Sequence, residues 1–71
     1  MTERAEHVSW CKKRAHEYLR ENDLSNAVAS MISDMNKRED CRVNEFLAMA
    51  GMLSVANYDN DGVRRFIDGF N

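Results

Sequence analysis

The run Phe46-Leu47-Ala48-Met49-Ala50-Gly51-Met52-Leu53-Ser54-Val55-Ala56 constrains this chain more than any other stretch, because only Ser54 in it is polar. Read as a helix, it is apolar all round, and such a helix is normally buried all round. The sequence has 71 residues, so three other helices at most remain to cover it. A domain of that size buries only about 60% of the surface its unfolded chain exposes. Ordering it costs roughly 1.5 kcal/mol per residue, which burial offsets with little to spare. Small domains therefore tend to carry a staple: a disulfide, a metal or a partner subunit.

Two of these staples find little support. Cys11 and Cys41 could form one bridge at most, and the opening Met1-Thr2-Glu3-Arg4-Ala5-Glu6-His7 has no apolar signal segment. Nor does any stretch approach the 18 or so apolar residues of a membrane span. Together these features point to the cytosol, where thiols stay reduced. For a metal, His7 and Cys11 share a helix face, but His16 is nine residues on and falls on the opposite one. With Cys41 they make no closed four-ligand set, and no C-x-x-C pair exists. The partner subunit remains.

Proline is absent and glycine occurs only at 51, 62 and 69, which favours helices over strands. The first helix is expected from Glu3 to Glu21, capped by Thr2. Its face is Val8, Cys11, Ala15, Tyr18 and Leu19, joined by Ala5, with Trp10 well off its centre. Asn22 stops it in the left-handed conformation and Asp23 caps the next. The second helix, Leu24 to Lys37, carries the stripe Leu24, Ala27, Val28, Met31, Ile32 and Met35. Beside it, the small residues Ser25, Ala29 and Ser33 fall four apart, a row that admits a close helix or faces solvent. A third helix begins between Cys41 and Asn44 and ends near Asn57. A last, short one follows Tyr58, capped by Asp59 or Asn60, with Val63, Phe66, Ile67 and Phe70 on one face. Gly69 is expected to end it in the left-handed conformation, folding Phe70 back.

The expected fold is all-α: one domain over residues 1–71, a compact bundle of three longer helices and a short C-terminal one, completed by oligomerisation. A dimer is the expected state, with Phe46, Met49, Met52, Leu53 and Val55 at the shared surface.

Candidate sites are few. Counting Asn57 as position 1, oxygen ligands Asn57, Asp59, Asp61 and Asp68 fall at 1, 3, 5 and 12, with Gly62 at the sharp turn. This is nearly the spacing of an EF-hand calcium loop. Position 1 lacks a charge, position 12 has the short arm of Asp, and position 8 is Arg64. An acidic turn capping a short helix accounts for the string better, so no metal and no cofactor is expected. Catalytic groupings are missing: the serines lack a G-x-S-x-G setting and no glycine-rich loop can cradle a phosphate. No enzyme activity is expected. Lys12, Lys13 and Arg14 near Trp10 could bind an anionic ligand such as a nucleotide. However, three consecutive helical residues spread over about 200°, and the formal charge of −2 argues against broad binding to nucleic acid or an acidic membrane.

The segments Trp10-Cys11-Lys12-Lys13-Arg14-Ala15-His16-Glu17-Tyr18-Leu19, Asp23 to Met35 and Phe66-Ile67-Asp68-Gly69-Phe70-Asn71 resemble small helical proteins encoded by tailed bacteriophages. The resemblance implies an accessory protein made in the cytoplasm of an infected bacterium; the lack of catalytic groups makes protein–protein binding, modulating or inhibiting a host factor, the expected mode of action. The resemblance carries no catalytic motif and assigns no site residue. A helical oligomer sequestering a nucleotide-like anion through Trp10, Lys12, Lys13 and Arg14 is the alternative.

Overall fold

The computed structural model describes residues 2–71; Met1, the first residue of the segment read above for a leader, lies outside them. Four α-helices follow one another: α1 (Glu3–Arg20), α2 (Leu24–Met35), α3 (Glu45–Ala56) and α4 (Asn60–Asp68). A short 3-10 turn, Glu39–Cys41, sits between α2 and α3. Among the described residues there is no strand, and no helix is long and apolar enough to cross a membrane. The all-helical class and the four-element order agree with the sequence reading.

Each start is set by a side chain that accepts an orphan backbone N–H of the first turn. Thr2 accepts from Ala5, Asp23 from Asn26, Asn44 from Leu47 and Asp59 from Gly62. Two chain reversals use left-handed residues, Asn22 at φ 60° and Tyr58 at φ 54°. Asn tolerates that region; a bulky aromatic there costs about 1 kcal/mol, and the Tyr58 position was not foreseen. Gly69 corrects another expectation, since it is right-handed at φ −73°. Phe70 nevertheless turns back into the core and meets Phe66 edge-on, with ring centroids 5.2 Å apart. Burial of the Phe70 ring, rather than a left-handed glycine, shapes this end.

α1 and α2 form an antiparallel hairpin: Tyr18 and Asp23 hydrogen-bond at its closed end, while His7 reaches Asp34 at the open end. α4 runs back along α1, starting beside Asn22 and finishing beside Lys12 and His16. The core is Val8, Cys11, Ala15 and Leu19 from α1, the α2 stripe, Cys41, and Val63, Ile67 and Phe70 at the C-terminal end. Within the foreseen stripes only Ile32, Tyr18 and Phe66 are half-buried, and Ala5, expected to join the α1 face, is exposed.

α3 departs most from expectation. An apolar helix was expected to be covered on all sides, yet only Gly51 of its twelve residues is buried. The reason is size. The face turned inward carries the small residues Ala48, Gly51 and Ser54, with Val55 half-buried against the core. A Cβ on Gly51 would stand 2.8 Å from two ring carbons of Phe66, so α3 seats on α4 through a missing side chain. Rotating α3 to bring Phe46, Met49 and Leu53 inward would put bulk where no space exists.

Gly51→Val is therefore expected to destabilise the fold by about 1–3 kcal/mol through overpacking. Valine's small helix-propensity advantage over glycine does not offset this. Thermal unfolding followed by far-UV circular dichroism tests it, and Phe66→Leu in the same chain should recover part of the loss. An unchanged melting temperature for Gly51→Val would show that α3 is not seated in this way.

Candidate protein-binding surface

The outer side of α3 carries the bulk that the inner side lacks. Phe46 is 85% exposed, Met49 64%, Leu53 63% and Met52 57%. With Ala50 and Ala56 they line a shallow open depression. Glu45 is the only ionisable residue of the helix, so the surface from Phe46 to Ala56 has no charge. A second apolar groove lies where α3 meets α2, between Met52 and Val55 on one side and Ser25, Val28 and Ala29 on the other. Ser25, Ala29 and Ser33, the row of small residues, all lie on the exposed side of α2. Of the five residues expected at a shared surface, Phe46, Met49, Met52 and Leu53 share the open face, whereas Val55 packs against the chain's own core. Tyr58, 88% exposed and left-handed just past α3, lines a separate groove with Leu24, Ser25 and Val55. No pattern in the sequence singles Tyr58 out.

Trp10 and the three basic residues beside it do not converge. Lys12 reaches across to α4, where its Nζ donates to the Asp68 carbonyl at 3.2 Å. Lys13 is exposed. Arg14 Nε donates to Asp34 Oδ2 at 2.7 Å. The Trp10 ring, 41% exposed, lies 5.1 Å from the Arg14 guanidinium and 5.1 Å from the Lys37 ammonium, with His7 at 5.8 Å. Trp10 is thus neither core nor free anchor. It roofs a set of ion pairs, holding both cations by cation–π attraction.

Asp34 is the centre of that set and the one buried charged residue of the described chain. It receives Arg14 and Ser30 on Oδ2 and Lys37 on Oδ1 at 3.1 Å. Burial alone would raise its carboxyl, but hydrogen bonds and charge from Lys37 and Arg14 outweigh this and hold it below the ordinary carboxylate value. The sequence contained a signal for it: Asp34 is three residues past Met31 and seven past Ala27, on the buried stripe. Arg14 and Lys37 are both drawn to this carboxylate, so of the basic run only Arg14 shares a site with Trp10.

Nucleophilic chemistry is equally unsupported by geometry. Cys11 Sγ lies 3.5 Å from His7 Nε2, but that nitrogen donates to the Asp34 carbonyl at 2.7 Å and cannot also accept the thiol proton. Burial, with the nearby Asp34 charge, pushes the thiol up to about 11, away from the reactive range. Cys11 and Cys41 are both free and buried. The string from Asn57 to Asp68 forms no loop around an ion. Asp59 caps α4, Asp61 pairs with Arg64 at 3.3 Å, and Asp68 accepts His16 at 2.7 Å. The helix between them sets Asp59 and Asp68 on the order of 13 Å apart. Among the described residues no group of three or more His, Cys, Asp or Glu is placed to hold a metal.

Compared with known proteins, the chain matches no family model, no curated protein and no solved structure.

Because the Asp34 carboxyl is held low in the fold, its contribution is fully present above the unfolded value of about 3.9 and is lost as pH falls through the folded one. Asp34→Asn is expected to cost about 1–3 kcal/mol at neutral pH. The gap between wild type and variant should narrow as pH drops from neutral to below 4, read as urea midpoints at each pH. A gap independent of pH would remove Asp34 from this role.

Proposed function

We propose that this chain is a non-catalytic accessory protein that works by protein–protein binding, and that the outer face of α3 makes the contact. The observation that carries this reading is the inverted α3: its small side chains face the core and its large apolar ones face outward, uncharged along the helix after Glu45. A monomer's largest exposed apolar patch is commonly about 300–600 Å², and patches at or above that size mark interaction surfaces. The described side chains assemble no nucleophile–base pair and no metal set, which supports binding over catalysis. The resemblance to small tailed-phage proteins supplies a setting, the cytoplasm of an infected bacterium, where such a protein would modulate or inhibit a host factor.

Site-specific photo-crosslinking in bacterial cells tests the surface directly. A photoreactive side chain at Met49 is expected to trap protein, whether a second copy or another chain. The same group at Glu17, on the polar side of α1, is expected to trap none. Absence of any protein adduct at position 49 would overturn the reading.

A further inference from the structure

We infer that the occupant of the outer α3 face is a second copy of this chain, packed antiparallel through α3 about a two-fold axis. This rests on the reading above that the face binds protein, and it adds the partner's identity and register. Phe46, Met49, Leu53 and Ala56 are separated by three, four and three residues, which is the a/d spacing of a two-helix seam. Ala50 and Met52 flank that seam and are also exposed.

Side-chain size selects both the partner and the direction. In an antiparallel pair, residues whose numbers sum to a constant face each other. Centring the axis at Gly51 sets Phe46 against Ala56 of the partner subunit and Met49 against Leu53 of the partner subunit. Large meets small at each end, and two mid-sized chains meet twice in the middle. A parallel pair would set Phe46 on Phe46 and Ala56 on Ala56, giving a clash at one end and a void at the other. It would also bring the two Glu45 carboxylates together at the two helix N-termini. The antiparallel pair separates them to opposite ends and opposes the helix dipoles favourably.

The area is sufficient. Phe46, Met49, Met52 and Leu53 keep between 57% and 85% of their surface, on the order of 500 Å² together, so a symmetric pair would bury about 1,000 Å² in all, the threshold for a specific interface. An isologous contact requires a surface complementary to itself. A neutral face whose side-chain sizes are complementary about Gly51 meets that requirement, and nothing on it offers the charge pattern that would select a different protein.

Analytical ultracentrifugation of the whole chain across the micromolar range tests the partner. A species of twice 8.2 kDa is expected. Leu53→Glu should weaken self-association about thirtyfold or more, the size of a hot-spot loss. Should that variant lose helicity, disulfide trapping reads the same seam without a buried charge. Under mild oxidation, a mixture of Met49→Cys and Leu53→Cys chains is expected to give the mixed dimer, and each variant alone little, since only facing Cα atoms come within about 7 Å. Wild type sedimenting at 8.2 kDa throughout overturns the second copy, while the position-49 crosslink separately decides whether the face binds another protein. A dimer indifferent to Leu53→Glu overturns the seam. Disulfides formed by each variant alone in preference to the mixed one overturn the antiparallel register.

Discussion

The arrangement depends on how closely α3 can approach α4, and that distance is set by the missing side chain at Gly51. The Phe66 ring occupies the space a Cβ would take, and Phe66 is itself held edge-on by Phe70. Because helices pack as solid bodies at near-crystalline density, this one contact fixes the rotation of α3 about its axis. Everything else about α3 follows from that rotation. Ala48, Gly51 and Ser54 face inward, while Phe46, Met49, Met52 and Leu53 are left outside. The core of α1, α2 and α4 is complete without them.

The other side of the molecule is organised by the opposite kind of contact. Buried in the α1–α2 hairpin, Asp34 is compensated by Arg14, Lys37 and Ser30, and Trp10 lies over the two cations. Buried charge contributes little to net stability even when fully paired. What the cluster supplies is register: Arg14 and Asp34 meet only when the hairpin is correctly aligned. His7 adds a bond to the Asp34 carbonyl at the same point. Beside the 3-10 turn, the Arg38 guanidinium hydrogen-bonds the exposed Asp40 and lowers its carboxyl to about 2. The two faces are thus chemically distinct, one uncharged and open, the other charged and internally satisfied.

Much of the fold was legible because its determinants are local. Helix caps are single side chains three residues from the N–H they accept, and the sequence marks Thr2 and Asp23 as such and leaves Asp59 and Asn60 as the two candidates for α4. Asn22 was read as a left-handed stop for the same reason. The α1, α2 and α4 stripes follow 3.6-residue periodicity, and most of their apolar members are buried. Misreadings cluster where a residue's state depends on a distant neighbour. Gly69 stays right-handed because Phe70 finds the core without a sharper turn. Arg14 belongs to Asp34, twenty residues away, and Lys12 to Asp68, fifty-six away. A basic run contiguous in sequence is therefore dispersed in space.

The run from Phe46 to Ala56 marks the boundary between the two kinds of information. Its sequence alone determined that it is a helix and that this short chain carries more apolar surface than it can readily cover. Periodicity could not say which side faces in, since polarity is nearly uniform around α3. Only the tertiary structure decided that, by steric fit: the Phe66 ring occupies the space of a Cβ at Gly51, so that side admits glycine and excludes phenylalanine, methionine and leucine. Where polarity gives a helix no preferred face, the volume left by its neighbours chooses one, and here it turned the largest apolar side chains outward.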